Sequence, residues 1–492
     1  MAPVHPRSRT RNRLTARPSS LLAGLLLGLT ASAASAQSDL ERPVITAQSI
    51  DDLFGGPPPP APEKPKPDTA TPTPAPAVPE MPAPGAAQAE SGSPTLSGFY
   101  QNDLAYTYSG DEHWSRFNNT LDVSGQGRTT GGMGWKLGGR VYYDPIYDLT
   151  DHYPDAVRDD QRFEAMIREA YVDLGAGDWE FRLGRQHIVW GEMVGLFFAD
   201  VVSAKDLRQL VLPDFDMIRI PQWAARAEYF SGEFHAEAVW IPYMTYDDIG
   251  KPGAEFYPFT PSAVPGVQTV IAKEEKPHGI DDSAYGVRLS WIQNGWDVSG
   301  FYYTANDPSA SFSRQISPTM ITYQPIHDRI HQLGATLGKD LGPMVLKAEA
   351  VYTRDRLFHA TDLLDADGLV RQDFLDYIVG LEWSFPQETR FNVQFFQRWF
   401  PDHDAGIVPD ETESSMSLLF STRALHPRLE PELFLIRSLD RNDWSGQFKV
   451  SWRMDDNWRL AAGVDIFEGP ADGLFGTFDE RDRVYTEVRY SF

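Results

Sequence analysis

The sequence predicts an all-β fold, a transmembrane antiparallel β-barrel of about 18 strands (16–18). The last stretch, Asp482–Phe492, alternates apolar and polar residues and ends on the aromatic Phe492, as outer-membrane barrels commonly do. Similar alternating stretches repeat from Thr95 onward, and short connections alternate with long ones. Short turns at one end and long loops at the other are typical of a membrane barrel. For the last stretch alone, the alternative is an edge strand of a soluble sheet.

The composition fits this fold class. The chain of 492 residues has no cysteine, which excludes disulfides, thiolate metal sites and a lipid-anchoring cysteine. The mean hydropathy of -0.38 is too polar for a helical membrane protein, although aromatic residues reach 12%. The net charge of -25 disfavours a nucleic-acid partner, because phosphate binding needs a basic surface. We expect no cofactor and no metal site.

The N-terminal region precedes the predicted barrel and has two parts. Residues 1–36 are typical of a secretory signal peptide, with a basic start, a short apolar run at Leu21–Leu29 and an Ala34-Ser35-Ala36 cleavage site. Residues 37–94 predict a short periplasmic peptide and a disordered Pro/Ala-rich linker. Residues 95–492 then form the barrel. An even strand count would leave both barrel ends, and hence the N-terminal extension, in the periplasm.

The predicted strands carry charges on one face. Tyr285, Val287 and Leu289 alternate with Arg288, which therefore lies on the opposite face of its strand. In the predicted strand near Leu137, Arg140 likewise lies on the face opposite the apolar residues. A soluble core could not hold so many charges, because burying each would cost several kcal/mol. A water-filled lumen can hold them, so we expect the charged face to point inward.

The stretch after Asp178 is the most unusual one. Alternation from Trp179 puts Arg182 inside but aims Arg185 at lipid, at a cost of about 2–4 kcal/mol at mid-membrane. A bulge at Gly184 would turn Arg185 inward and would turn Ile188 and Trp190 outward. The next strand places Arg226 and Glu228 on its inner face. The lumen and ligand candidates are Arg182, Arg185, Arg226, Glu228, Arg140 and Arg288.

The long loop Gly191–Gln222 is too apolar for an exposed loop. We expect it to fold into the lumen and narrow it; the alternative is a lid over the neighbouring loops. Ser203 and Asp206 predict the start of a short helix, and Pro213 predicts its end. The loop aspartates Asp200, Asp206, Asp214 and Asp216 would then be available to pair with Arg182, Arg185 and Arg226. The alternative for these arginines is an anionic headgroup or solute, and we expect mixed use, with Arg185 as the ligand contact. The constriction-loop candidates are Phe197, Phe198, Asp200, Asp206, Leu207, Leu210 and Asp214.

Several motifs resemble a known family. They are Arg168–Leu174 (REAYVDL), Leu183–Glu192 (LGRQHIVWGE), Arg219–Trp223 (RIPQW), Arg226–Phe230 (RAEYF), Asp472–Gly476 (DGLFG) and the final strand. They are similar to an uncharacterised Gram-negative outer-membrane barrel family catalogued as "domain of unknown function thirteen-oh-two". The resemblance implies a signal-bearing outer-membrane barrel that works with an RND-type exporter and a periplasmic carrier-like protein. It also implies handling of lipid-like or hydrophobic compounds.

The leading hypothesis is therefore an outer-membrane transport barrel for hydrophobic or lipid-like compounds, without enzymatic activity. We expect it to contact outer-membrane lipid and to reach the barrel-assembly machinery through its C-terminal strand. One alternative is a porin for polar or anionic solutes, which the inward lysines and arginines suggest. A second alternative is an outer-membrane enzyme, for which no catalytic motif stands out.

Overall fold

The structure is a computed structural model that describes residues 94–191, 193, 197–213, 215–259, 261, 264–362 and 365–492. The predicted signal peptide (residues 1–36) lies outside the described residues. The predicted peptide and linker (residues 37–94) also lie outside them, apart from Pro94.

Eighteen antiparallel strands form one closed barrel, which confirms the predicted fold class. In chain order the strands are β1 (Thr95–Thr107), β2 (His113–Arg128), β3 (Gly134–Tyr143), β4 (Phe163–Ala176), β5 (Trp179–Gln186), β6 (Gln222–Ser231), β7 (Phe234–Tyr243), β8 (Ala284–Gln293), β9 (Trp296–Asn306), β10 (Arg329–Asp340), β11 (Met344–His359), β12 (Leu369–Phe385), β13 (Thr389–Trp399), β14 (Thr412–Ser421), β15 (Leu429–Ser438), β16 (Trp444–Arg453), β17 (Trp458–Glu468) and β18 (Arg483–Ser491). Each strand pairs with the next one along the chain.

The last strand closes the barrel against the first. β18 pairs with β1 from Thr107 to Phe99, and the backbones of Gly98 and Phe492 exchange two hydrogen bonds of 2.9 and 3.0 Å. Closure removes both free sheet edges, whose unpaired N–H and C=O groups would be costly in lipid.

Alternation along the strands separates an apolar outer face from a polar inner face. On β8, Tyr285, Val287, Leu289 and Trp291 are all exposed on the outside of the barrel. Inward positions are polar and buried on many strands, as Glu349 on β11 is. The barrel thus presents apolar side chains where lipid would lie and charged side chains to its lumen.

The connections differ in length at the two rims. One rim has tight turns, such as Asn294-Gly295 between β8 and β9. The other rim carries the loops 144–162, 187–221, 244–283 and 307–328. These loops contain the short helices Ile146–Leu149, Asp155–Gln161 and Phe215–Ile218, and a helical turn, Ile280–Asp282. A further turn, Gly476–Arg481, precedes β18.

Small β-structures also form within the loops. Ala204–Lys205 pairs with Arg219–Ile220, a short strand spans Arg208–Val211, and Gln268–Ile271, Ser311–Ser317 and Met320–Ile326 form a separate three-stranded sheet. Among the residues described, no helix is long and apolar enough to cross a membrane.

Candidate functional site

The loop between β5 and β6, residues 187–221, lies inside the barrel, and we call it the plug loop. Phe197, Phe198, Leu207 and Leu210 are buried there in one apolar cluster. Their wall partners come from β12 to β17: Ile378, Phe396, Leu419, Phe434, Ile436 and Phe467. The rings of Phe198 and Phe396 lie 5.6 Å apart. The apolar residues that a loop in water would expose are therefore covered by the inner wall.

A second apolar cluster joins the same loop to the other side of the wall. Ile188 and Trp190 are almost fully buried there. They pack with residues of β6 to β9, among them Val239, Phe301 and Tyr303, and the Trp190 and Phe301 rings are 5.2 Å apart. The plug loop thus contacts strands on both sides of the lumen and crosses it.

Polar contacts from the wall hold the backbone of the plug loop. The Glu349 carboxylate on β11 accepts hydrogen bonds from the N–H groups of Met193 (3.2 Å) and Ala199 (2.8 Å). Arg168 on β4 donates to the carbonyl of Arg219 at 2.7 Å. These bonds satisfy backbone groups that would otherwise be buried without partners.

Arg208, which the sequence analysis did not single out, is at the centre of a buried ion network. Only 7% of the residue is exposed. Its guanidinium lies 2.6 Å from Asp206, 2.8 Å from Glu164 and 3.4 Å from Asp248. It also donates to the hydroxyl of Tyr142 at 2.6 Å. Because Glu164 belongs to β4 and Asp248 to the β7–β8 loop, the network joins the plug loop to both.

The charges of this network depend on Arg208. Burial on its own would raise the pKa of Asp206, but the Arg208 guanidinium outweighs it and the pKa is lowered. Burial opposes the charge of Arg208 as well, yet Asp206 and Asp248 raise its pKa. Asp248 keeps a raised pKa, because burial outweighs the attraction of Arg208 there. Arg208 and Asp206 therefore form the charged pair of the network at neutral pH.

The constriction-loop candidates lie in the lumen, but their described aspartates have other ion-pair partners than those predicted. Asp200 pairs with Arg219 at 2.7 Å and Asp206 with Arg208, both inside the loop, so for these two aspartates the expected pairing with Arg182, Arg185 and Arg226 is wrong. Phe197, Phe198, Leu207 and Leu210 face the lumen cluster, and Asp214 lies outside the described residues.

The helix expected from Ser203 to Pro213 is also wrong. The Ser203 hydroxyl donates to the carbonyl of Ile188 at 2.9 Å instead of capping a helix. Residues 204–205 pair with residues 219–220, and the short helix comes later, at Phe215–Ile218. Tertiary contacts thus override the local capping pattern.

Most lumen candidates are paired on the wall itself. Arg182 lies 2.6 Å from Asp173, and Arg140 lies 2.8 Å from Asp122. Arg288 donates to the Ser299 hydroxyl at 3.1 Å. Such pairs keep charged groups satisfied in the lumen.

Glu228 sits between two basic groups on the inner wall. It lies 2.5 Å from Arg226 and 3.2 Å from His235. Arg182 and Arg140 also have acidic partners, whereas no ion pair of Arg185 is seen among the described residues.

The predicted bulge at Gly184 is wrong. β5 pairs with β4 and with β6 in unbroken register through Gly184, although this glycine has a φ of 128°. Arg185 pairs with Ala170 and with the exposed Trp223, so its Cα lies on the outer face, but its side chain lines a cavity together with inner-wall residues such as Arg140. Ile188 and Trp190, expected outside, are buried inside. The bulge in this part of the wall is in β4, where the pairing with β3 passes from Ile167 to Glu169.

The lumen also has a vestibule at the short-turn rim. A cavity of about 700 Å³ lies there, lined by basic and acidic side chains that include Arg128, Lys136, Asp173, Glu180 and Arg182. Its mixed charges would suit polar or ionic solutes.

Two histidines and a glutamate meet at the long-loop rim, in a cluster that the sequence analysis did not single out. Donor atoms of His113, His152 and Glu255 lie within 4.8 Å of one another, a ligand set that Zn²⁺ can use. Glu255 already accepts hydrogen bonds from Thr107 (2.9 Å) and Tyr153 (3.0 Å) and lies 3.0 Å from His113. Burial would raise the pKa of Glu255, but these bonds, that to His113 above all, lower it. Through these contacts the cluster links the loops at this rim to one another and to the ends of β1 and β2.

Comparisons with known proteins agree with this architecture. A family model described as "Protein of unknown function (DUF1302)" matches residues 17–492. No curated protein matches the chain. The crystal structure of OccK8 (OprE) from Pseudomonas aeruginosa is similar, with a TM-score of 0.50 and 10% identity over 81% of this chain and 98% of that chain. OccAB4 from Acinetobacter baumannii gives a TM-score of 0.49 and 9% identity over 82% and 99%. At this identity the OccK8 likeness shows the fold alone.

Proposed function

We propose that this chain, which belongs to the DUF1302 family as its sequence predicted, is an outer-membrane transport barrel for hydrophobic or lipid-like compounds. The observation that carries the proposal is the plug loop, whose apolar side chains contact both sides of the lumen. Apolar surface placed across the lumen hinders ions and sugars, because they would lose hydration there. The same surface favours apolar cargo, which gains from leaving water.

The proposal predicts a barrel that admits little sugar and carries amphiphiles. Liposomes that contain the full-length protein should swell in arabinose no faster than protein-free liposomes. Protein extracted in mild detergent should retain copurified amphiphilic compounds, which mass spectrometry of the organic extract would identify. Fast swelling would contradict the proposal.

A second candidate function is a porin for polar or anionic solutes. The vestibule of about 700 Å³ and its charged lining favour this function. An anion-selective current from the wild-type barrel, together with fast swelling in arabinose, would support the porin. A third candidate, an outer-membrane enzyme, would be supported by turnover of a lipid or peptide substrate by purified protein; we propose that no such turnover occurs.

We also propose partners for the two ends of the chain. The family resemblance supports an RND-type exporter and a periplasmic carrier protein, and we propose that residues 37–94 lie in the periplasm and reach them. The terminal aromatic strand supports recognition by the barrel-assembly machinery. Cross-linking in cells that express the chain with and without residues 37–94 tests the first partnership: loss of the exporter cross-link in the shortened chain is expected.

A further inference from the structure

One stretch of the barrel wall has a partner on one side only. β4 pairs with β3 from Phe163 to Asp173, but it pairs with β5 only over Ala170–Ala176. Among the described residues, the first half of β4 therefore has no strand partner on its β5 side. Unpaired backbone at membrane depth is costly unless it borders water or protein. We call this gap between the first half of β4 and the strand that follows it the break in the wall. The side chains and loops beside the break must border the unpaired backbone of β4.

The break arises because the chain leaves the wall after β5. β5 ends at Gln186, and the residues that follow turn into the lumen, where Ile188 and Trp190 pack against inner-face residues. The wall resumes at Gln222, which pairs with Gln186. The space beside the upper half of β4 is thus left to side chains and loops.

A cavity of about 250 Å³ lies beside this break, between the plug loop and the inner faces of β2, β3 and β4. It is lined from the β4 side by Glu164 and Arg168, and from the other side by Tyr246 and Lys276 of the β7–β8 loop. Both edges of the break therefore border the same space. The cavity is richer in cations than in anions: its basic residues are Arg116, Arg140, Arg168, Arg185, Arg208 and Lys276, and its acidic residues are Asp144, Glu164, Asp206 and Asp248.

Arg185 connects this cavity with the outside of the wall. Its register neighbours Ala170 and Trp223 put its Cα on the outer face, yet its side chain lines the cavity. Among the described residues, its Nε is buried without a hydrogen-bond partner, and Glu164 is the acidic residue whose charge acts on it. Arg182, on the same strand, is paired with Asp173. As far as the described residues show, the Nε of Arg185 is thus available to an acceptor.

The break lies at membrane level. Tyr143 and Phe163 pair at the long-loop ends of β3 and β4 and are exposed, and so is Trp223 at the start of β6. Exposed aromatic residues at strand ends mark the membrane interface of a barrel. Ile167, which is exposed on the unpaired half of β4, lies below this aromatic level. The unpaired half of β4 therefore lies at the depth of the hydrocarbon of the adjacent leaflet.

We infer that the break between β4 and β5 is a lateral portal for an amphiphile with an anionic headgroup and a long hydrocarbon chain. The headgroup enters the cavity and is bound by Arg185, while the hydrocarbon chain stays in the bilayer. The inference rests on the proposed function and names its substrate class. A guanidinium that binds a carboxylate in this sheltered place makes a charge-assisted hydrogen bond, which is stronger than a neutral one.

Native mass spectrometry of the full-length barrel in detergent micelles tests the portal. The probes are oleate, oleyl alcohol, which has the chain without the charge, and butyrate, which has the charge without the chain. Wild-type protein should retain oleate and retain neither of the other two. Arg185→Ala should bind oleate about tenfold more weakly, as expected when a charge-assisted hydrogen bond is lost. Arg182→Ala is the matched control and should bind oleate like the wild type.

Three results would overturn the portal: no oleate on the wild type, equal oleate binding by Arg185→Ala, or butyrate binding as tight as that of oleate. If Arg185→Ala fails to show the heat-modifiable mobility of a folded barrel, Arg185→Gln takes its place in the same comparison. The outcome is separate from the proposed function. A barrel that swells fast in arabinose refutes that function whatever oleate does, whereas lost oleate binding with slow swelling refutes the portal alone.

Discussion

Deleting Phe492 should remove most of the folded barrel from the outer membrane. The Phe492 backbone exchanges two hydrogen bonds with Gly98, so it is the last link between β18 and β1. Its ring covers the space over Gly98, where an added Cβ would lie 2.9 Å from the ring. Without this link the closing strands fray, and unpaired edge groups meet lipid at a cost of several kcal/mol each. The folded fraction is measured as the heat-modifiable band on a gel of outer-membrane fractions.

Phe385→Ala is the matched control for this deletion. Phe385 is an exposed aromatic residue at the end of β12, near the same rim, but it lies far from the closing strands. The control should leave assembly close to normal. If the chain without Phe492 assembles as well as the control does, the terminal residue is not needed for closure.

Replacing Arg208 by methionine should destabilise the barrel far more than the same change at Arg182. The substitution leaves Asp206, Glu164 and Asp248 facing one another without their shared cation. Removing one partner of a buried ion network costs about 3–5 kcal/mol, because charges stay buried without compensation. We expect a clearly lower midpoint of heat denaturation in detergent, and release of the plug loop from β4.

Arg182→Met is the control for the ion network. The Arg182–Asp173 pair is partly exposed to the vestibule, so its loss should cost about 1 kcal/mol or less. Limited proteolysis of both variants would report the release of the plug loop. Equal midpoints for Arg208→Met and Arg182→Met, with the plug loop equally protected, would show that the network does not hold the loop.

The barrel was predictable because strand alternation is a local property of the sequence. Positions such as Tyr285, Val287 and Leu289 carry the period of two by themselves, and loop length separates the two rims without any knowledge of contacts. The inward fold of the plug loop followed from its composition, since Phe197 and Leu210 need cover from water.

Pairing within the plug loop was not predictable in the same way. Asp206 and Arg208 are two residues apart, but neither spacing nor charge tells that Glu164 and Asp248 complete the network. Ser203 has the residue type of a helix cap, yet its hydroxyl finds the Ile188 carbonyl, which the fold brings near. Such contacts depend on the whole chain being in place.

The stretch around Gly184 shows where strand patterns fail. The glycine does mark an irregular backbone, with a φ of 128°, but the register continues through it. The bulge lies at Arg168 on β4 instead, opposite Gly138 and Gly139 of β3. The sequence after Gln186 reads as more strand, so the point where the chain leaves the wall is visible only once β5 and β6 are paired.

Single-channel conductance in a planar bilayer tests the central claim, that the plug loop fills the lumen. The comparison is the wild-type barrel against a variant that lacks residues 197–212, each checked first for heat-modifiable folding. Because the deletion removes Phe197, Phe198, Leu207 and Leu210 from the lumen, the variant should conduct several times more current than the wild type. A large wild-type conductance that the deletion leaves unchanged would contradict the account, because the plug loop would then not obstruct the lumen.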